Sequence, residues 1–246
     1  MKTGRNIRLT IAYDGAAYHG WQIQKGLPTV QGILLDAIKN ITGEQVNLIG
    51  SGRTDAGTHA RGLVANFVTG SRIPPAQFAR ALNSMLPHDL RILSSRGVTP
   101  DFHARYSARS KVYRYQIFRG AVLPPHLARE YFHYPYPMDT SAMHRAAKRF
   151  VGEHDFASFA AGTPEKNTMR RILRCELKSI GRSLILTVEG NGFLHHMVRN
   201  MVGTLLEVGR GHLSFGEFRA LFGKRDRRLA GFTAPAHGLI LSKVRY

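Results

Sequence analysis

Residues 7–13, IRLTIAY, alternate apolar side chains with others, and the apolar set is Ile7, Leu9, Ile11 and Tyr13. Because successive side chains of a strand point to opposite faces, this period predicts a half-buried β-strand. Residues 29–43, TVQGILLDAIKNITG, then carry apolar side chains at helical spacing. Thr29 is expected to cap the start of this helix and Gly43 to end it. The chain is therefore predicted to open with a strand and a helix.

Outward from this segment, the same order of elements is predicted twice. The first half continues with strands over 46–50, 62–69 and 90–98 and a second helix that opens at Pro75. The second half has strands over 112–119, 171–180, 183–189 and 238–246, and helices over 139–151, 192–208 and beyond a capping box of Ser214 and Glu217. Two β-α-β-β-α-β units in tandem predict an α+β fold of two ferredoxin-like halves with antiparallel sheets side by side.

The charge balance points to a polyanionic partner. Thirty-five Lys and Arg against 16 Asp and Glu give a net charge of +19. Residues 1–123 hold 16 basic and 6 acidic side chains and residues 124–246 hold 19 and 10, so the charge belongs to the folded body rather than to a tail. Such an excess favours nucleic acid first and an anionic membrane surface second.

Several classes of protein are excluded at this point. The longest run without a charged side chain, residues 229–242, has 14 residues and is interrupted by glycine and proline, so no membrane span is expected. The N-terminal residues lack a signal-peptide pattern, and a cytoplasmic protein is expected. The single cysteine, Cys175, excludes an internal disulfide and multi-cysteine metal sites.

Cofactor and metal signatures are missing as well. The chain has no GxxxxGK[ST], no GxGxxG between a strand and a helix, and no HExxH, so no cofactor is expected. His195 and His196 are adjacent on the predicted helix 192–208, where neighbouring side chains point about 100° apart. They would not face one ion together, and no metal site is expected.

Residues 50–61, GSGRTDAGTHAR, form the most unusual local segment, between two predicted strands. Asp55 followed by Gly57 is common turn chemistry, so a connecting loop is one interpretation. The other is a carboxylate displayed at the end of a sheet and flanked by Arg53, Arg61 and His59, where cations and backbone donors keep it ionised and available as nucleophile or base. A lone acidic residue in a basic loop is better suited to act on nucleic acid than to bind phosphates, which it would repel.

Two further segments carry candidate binding residues. In residues 102–115, Tyr113 and Tyr115 share one strand face, which is either aromatic packing or a platform for an unpaired base. In residues 192–203, Arg199 lies near the middle of an otherwise apolar helix. A buried arginine there needs a carboxylate partner, for which Asp55 is a candidate.

Five segments occur in the order YDGAAYHGWQIQ (13–24), GRTDAGTHARG (52–62), DFHARYSARSKVYRY (101–115), FLHHMVRNMVG (193–203) and GLILSKVRY (238–246). Together they resemble the TruA family of bacterial tRNA pseudouridine synthases over essentially the whole chain. The resemblance implies two ferredoxin-like α/β halves around a central cleft. It also implies a homodimer that binds tRNA across both subunits, with uridines 38, 39 and 40 of the anticodon stem-loop as substrates.

The same resemblance implies roles for four residues. The family's catalytic aspartate falls on Asp55, as the nucleophile. Its active-site tyrosine falls on Tyr113 and its motif arginine on Arg199, both as substrate-binding residues. Arg53 is expected to contact the backbone of the flipped nucleotide. The predicted halves are residues 1–105, with the aspartate loop, and residues 106–246, with the tyrosine and the arginine.

Two positions depart from the family pattern. Thr58 stands where valine is frequent, and Ile23 stands where arginine often follows the Trp21–Gln22 pair. Neither touches the chemistry, although the missing arginine would alter a phosphate contact.

Pseudouridylation changes no oxidation state, which agrees with the absence of cofactor motifs. We expect Tyr113 to stack on an extruded uridine and Arg199 to pair with Asp55, which then acts on the sugar or the ring. Attack at C1′, attack at C6 and removal of the C2′ proton all remain open, as do the preferred uridine and the range of tRNAs.

A competing interpretation is a noncatalytic RNA-binding or chaperone module, which explains the charge but leaves Asp55 and Arg199 as coincidences. An RNA methyltransferase would need a glycine-rich strand-to-helix turn, which the chain lacks. The candidate cations for a tRNA track are Arg105, Arg109, Lys111, Arg114, Arg170, Arg171 and the run 224–228.

Overall fold

The strand predicted from residues 7–13 is β1 (Arg5–Tyr13), and its inward side chains are buried in alternation. The helix that follows is α1 (Val30–Thr42). The Thr29 side chain accepts a hydrogen bond from the Gly32 N–H, and the helix ends at Gly43 with a φ of 73°. Both predicted ends of α1 are therefore confirmed. These bounds come from a computed structural model that describes residues 4–162 and 167–246.

The chain divides into two compact units, of which the first runs to Arg109 and includes Leu241–Tyr246. Its further strands are β2 (Ile49–Gly50), β3 (His59–Thr69), β4 (Leu90–Val98) and the end of β10 (Leu239–Arg245). β1 lies between β3 and β4 and is antiparallel to both. β2 pairs antiparallel with β3, and β10 is the other neighbour of β3.

The helices α1 and α2 (Phe78–Asn83) contribute to the core of the first unit. Phe78 of α2 meets Phe67 of β3 edge to face, with ring centroids 5.5 Å apart. The predicted second helix is shorter than expected, because Pro75 opens a 3₁₀ turn and α2 ends at Asn83. Met85 lies beyond the end of α2 and is 50% exposed.

The second unit, Ser110–Ile240, also combines an antiparallel sheet with helices. Its complete strands are β5 (Ser110–Phe118), β6 (Phe132–His133), β7 (Gly152–Asp155), β8 (Met169–Ile180) and β9 (Ser183–Gly190). The strand order is β5-β9-β8-β7, with β6 parallel to β5. Its helices are α3 (Thr140–Arg149), α4 (Met197–Gly209) and α5 (Phe215–Lys224). The short strands β6 and β7 carry no alternation long enough to be read from the sequence.

An aromatic cluster forms much of the core beneath the helices of the second unit. Phe150 lies at its centre and contacts the rings of Phe156, Phe159, Phe218 and Phe222. The capping box predicted at Ser214 and Glu217 is present at the start of α5. Both units thus belong to the α+β class. No helix in the described parts of the chain is long and apolar enough to cross a membrane.

The division into units differs from the predicted halves by four residues at the boundary and, more substantially, at the C-terminus. The sequence assigns residues 106–246 to the second half, whereas residues 106–109 and Leu241–Tyr246 belong to the first unit. The physical reason is the position of β10 beside β3, where the two backbones approach closely at Gly62. A Cβ on Gly62 would lie 2.8 Å from the Ser242 carbonyl oxygen. Strand neighbours of this kind depend on long-range pairing that local patterns do not contain.

Candidate active site

The Asp55 loop, residues 51–58, connects β2 to β3 in the first unit. Asp55 is half-buried, and Thr54 before it is buried. The Trp21 N–H donates to the Thr54 carbonyl oxygen at 3.2 Å. The Tyr13 and Thr54 hydroxyl groups form a buried hydrogen bond of 2.8 Å. The residue preceding Asp55 is thus held through both its backbone and its side chain.

The residues after Asp55 are held as well. The Gly57 N–H donates to the Tyr18 carbonyl oxygen at 3.2 Å, and the Thr58 N–H donates to the Asp55 carbonyl oxygen at 3.1 Å. Gly20, with a φ of 82°, lets the preceding segment approach, since a Cβ there would lie 2.4 Å from the Thr54 oxygen. The Asp55 loop is therefore an ordered turn braced by residues 13–21.

His59 anchors the start of β3 below the Asp55 loop. It is almost fully buried, and its Nδ1 accepts a hydrogen bond from the Gly15 N–H at 3.0 Å. Arg53, on the other side, is exposed, and its Nε donates to the Gln22 side chain at 3.3 Å. The structure thus presents Arg53 and Asp55 on one loop. The supporting roles of Tyr13 and Trp21 were missed, and His59 was predicted to flank Asp55 rather than to be a buried support, because each role depends on a contact distant in sequence.

Tyr113 lies on β5 in the second unit and is only 7% exposed. Its ring meets the Phe193 ring edge to face, with centroids 5.0 Å apart and planes at 81°. The predicted alternation holds here, because Arg114 is exposed while Tyr115 is fully buried. Aromatic packing therefore sets the orientation of the Tyr113 ring.

Arg199 occupies the third position of α4 rather than the middle of a helix. The predicted helix 192–208 begins late because His196 adopts the left-handed conformation, with a φ of 57°, and serves as the N-cap of α4. Arg199 is half-buried, and its Nε donates to the Ala234 carbonyl oxygen at 2.7 Å. The Ala234 N–H in turn donates to the Arg199 carbonyl oxygen at 3.2 Å. The pairing of Arg199 with Asp55 stays a prediction.

The turn before α4 places His195 and His196 otherwise than predicted. They do not lie on a helix with diverging side chains, and their ring centroids are only 3.8 Å apart. His195 exchanges hydrogen bonds with Ala161, through its Nδ1 at 3.2 Å and its carbonyl oxygen at 3.0 Å. The left-handed residue, which the sequence pattern did not reveal, produces this arrangement.

Residues 227–235, which include the Ala234 carbonyl group bonded to Arg199, are held in place by hydrogen bonds within the second unit. The Tyr115 hydroxyl donates to the Pro235 carbonyl oxygen at 2.7 Å, and burial raises the pKa of Tyr115, which keeps the phenol protonated. The Asn200 side-chain oxygen accepts from Arg227 at 3.0 Å and from Thr233 at 2.7 Å. These bonds fix the carbonyl group that holds Arg199.

Comparison with known proteins identifies the family. A family profile described as tRNA pseudouridine synthase matches residues 9–107 and 146–246. A protein of Caldicellulosiruptor saccharolyticus named tRNA pseudouridine synthase A is 46% identical over 243 residues, which span 98% of this chain and 100% of that protein. Proteins of the same name from Acetivibrio thermocellus and Moorella thermoacetica are also 46% identical over 98% of this chain and 100% and 99% of their own lengths. The chain therefore belongs to the family of tRNA pseudouridine synthases, which are isomerases.

Proposed function

We propose that this chain converts uridine to pseudouridine at positions 38, 39 and/or 40 of the tRNA anticodon stem-loop, with Asp55 as the catalytic nucleophile. The observation that carries the proposal is the braced carboxylate loop, whose backbone is hydrogen-bonded on both sides of Asp55. A carboxylate on so constrained a loop meets a bound nucleotide in one orientation, which lowers the entropic cost of reaction. The shared name of the relatives supports tRNA as the substrate.

The reaction needs only groups that a protein supplies. The bond between N1 and C1′ breaks, the uracil turns, and C5 forms a new bond to C1′. The proton on C5 leaves and N1 ends protonated, so neither composition nor oxidation state changes. As the nucleophile, Asp55 attacks C1′ or C6; removal of the C2′ proton is the alternative in which the same carboxylate acts as a base.

The other three site residues are proposed to hold the substrate. The target base lies within a stem-loop, so it has to leave its stack before it reacts. Tyr113, oriented by Phe193, is proposed to stack on the extruded uracil. Arg53 is proposed to contact the nucleotide backbone, and Arg199, held at Ala234, to supply positive charge to the substrate site.

The assembly and the compartment are further proposals. A homodimer is proposed from the family resemblance, and the cytoplasm from the substrate, since tRNA is modified where it is made and used. We also propose that the units are tandem ferredoxin-like halves. The first unit supports this, because its elements follow the order β1-α1-β2-β3-α2-β4.

Tritium release tests the proposed reaction. The purified protein, without added cofactor, is expected to release tritium from tRNA labelled at C5 of uridine, and carbodiimide followed by primer extension is expected to map pseudouridine to positions 38–40. The control substrate is the same tRNA with cytidine at these positions. Release from the control would refute the positions, and tight tRNA binding without any release would leave a noncatalytic RNA-binding protein.

Salt dependence separates the candidate cations of the tRNA track. Arg114 is exposed on β5, whereas Arg228 is paired with Asp226 at 2.7 Å, and its hydrogen bonds hold the pKa of Asp226 at about 2. Arg225 is likewise paired with Asp155 at 3.1 Å. The slope of log affinity against log salt is negative. We expect Arg114→Gln to make this slope less steep by about 0.9 and Arg228→Gln to change it less. Equal slopes for both variants would contradict this assignment, as measured by filter binding at several salt concentrations.

A further inference from the structure

Residues 102–107, FHARYS, form a loop of the first unit between β4 and β5, which we name the stacking loop. It carries an aromatic ring that the proposed reaction does not use. Tyr106 is 76% exposed. The His103 ring stacks on it with centroids 4.3 Å apart and planes 30° apart, and the Arg105 guanidinium carbon lies 5.6 Å from its centroid. The loop thus displays an aromatic stack with a cation beside it.

Hydrogen bonds within the stacking loop fix the stack in advance. His103 Nδ1 accepts from the N–H groups of Arg105 and Tyr106, both at 3.2 Å. The His103 N–H donates to the Ser107 hydroxyl at 3.1 Å, and the Ser107 N–H donates back to the His103 carbonyl oxygen at 2.9 Å. Because the rings are already ordered, a ligand that binds them pays less in lost side-chain entropy.

Two buried asparagines tie the stacking loop to the sheet of the first unit. Asn6 on β1 and Asn66 on β3 are 4% and 3% exposed and are joined by a hydrogen bond of 2.9 Å. The Asn66 oxygen accepts from the Ala104 N–H at 2.8 Å, and the Asn6 amide donates to the Phe102 carbonyl oxygen at 2.9 Å. The Tyr246 hydroxyl donates to the Ala104 carbonyl oxygen at 2.8 Å. A rigid sheet therefore supports the loop from below.

The chemistry of the stack indicates its ligand. Unpaired bases of RNA bind by stacking on aromatic rings, with arginine on neighbouring phosphates. Arg105, beside the stack, and Arg109, two residues after the loop in sequence, are both exposed, and the chain carries a net charge of +19. Because these charges have one sign, they favour a polyanion over a second copy of the chain.

We propose that the stacking loop binds an unpaired base of the RNA substrate outside the target uridine, with Tyr106 stacked on the base and Arg105 on an adjacent phosphate. The proposal rests on tRNA being the substrate but not on Asp55 being the nucleophile. Tyr106 thereby contacts a base other than the target uracil, on which Tyr113 is proposed to stack. The stacking loop would favour RNA in which such a base is unpaired and accessible.

Substitution of Tyr106 tests the stack. Tyr106→Ala and Tyr106→Leu are expected to weaken tRNA binding by about 5- to 100-fold and to leave kcat at saturating tRNA unchanged. Tyr106→Phe keeps the ring and is expected to bind within about twofold of the unsubstituted protein. Because the ring projects into solvent, the melting temperature of all three variants is expected to stay the same.

Salt and base removal distinguish this contact from a general loss of RNA affinity. Tyr106→Leu is expected to leave the slope of log affinity against log salt unchanged, whereas Arg105→Gln is expected to make it less steep by about 0.9. A set of tRNAs, each lacking one base outside positions 38–40, is expected to contain one that binds the unsubstituted protein weakly. That tRNA is expected to bind Tyr106→Leu as weakly as it binds the unsubstituted protein, because the base that would stack on Tyr106 is already absent.

Three results would overturn the proposal. They are unchanged tRNA binding by Tyr106→Leu, a flat response across the tRNAs that lack a base, and a change of oligomeric state in Tyr106→Leu by light scattering. The last would assign the stacking loop to a contact between copies of the chain. Tritium release by the unsubstituted protein is independent of all three, so failure here is distinguishable from failure of the proposed reaction.

Discussion

Asp55→Asn protein is expected to bind tRNA as tightly as the unsubstituted chain and to release tritium at least about 10³-fold more slowly. The carboxamide has nearly the shape of the carboxylate, and the hydrogen bonds described at Thr54 and Gly57 are made by backbone groups and the Thr54 hydroxyl, not by the Asp55 side chain. The loop should therefore survive the substitution. The carboxamide lacks the negative charge that a nucleophile or base requires at this position.

A matched control removes one negative charge at a position away from the site. Asp36 lies on the exposed face of α1, so Asp36→Asn removes the same charge from the same unit. Its tRNA binding and tritium release are expected to equal those of the unsubstituted protein. Asp55→Ala is measured as well, because alanine cannot revert to aspartate by deamidation. Turnover within about tenfold of normal in both Asp55 variants would show that the residue only shapes a turn.

Gly203→Ala is expected to destabilise the protein by about 3 kcal/mol or more, which corresponds to a fall in melting temperature of roughly 6 °C or more. Gly203 lies on α4, one turn after Arg199, and a Cβ there would stand 1.7 Å from the Phe232 carbonyl oxygen. Both atoms are rigidly placed, so the segment 231–234 has to move. That segment includes the Ala234 carbonyl group that holds Arg199, and we expect turnover to fall together with stability.

Gly223→Ala is the control for the gain in helix propensity. Gly223 is exposed on α5, and a Cβ there has nothing within 4 Å. Its replacement is expected to leave the melting temperature unchanged or to raise stability by up to about 1 kcal/mol. Thermal unfolding by circular dichroism gives both values. A Gly203→Ala protein as stable as Gly223→Ala would contradict the close packing of α4 on residues 231–234.

Local patterns were sufficient for the first strand and helix and for the position of the aspartate. The alternation of residues 7–13 and the caps at Thr29 and Gly43 reappear in β1 and α1. Residues 50–61 were predicted as a segment between two strands; residues 51–58 are that loop, and β3 begins at His59, three residues before the predicted start. In each case the information lies within a few residues, because side-chain period, capping and turn chemistry are short-range properties.

The start of α4 shows where local patterns stop being sufficient. The apolar spacing from Phe193 suggested a helix from residue 192, yet Arg199 is in its first turn. The deciding feature is a single left-handed residue, His196, in a turn that hydrogen-bonds to Ala161 more than thirty residues away. A backbone conformation of this kind is held by the tertiary structure rather than by its own propensity.

The amino-acid sequence alone thus determines the strand and helix periods, the net basic charge and the residues of the family motifs, because these follow from composition and spacing. Tertiary structure decided which groups brace the Asp55 loop, which carbonyl group holds Arg199, and that the last strand completes the first unit. The physical reason is distance along the chain. Hydrogen bonds and close packing between residues far apart in sequence form only after the elements have assembled, and they leave no periodic signal in the sequence.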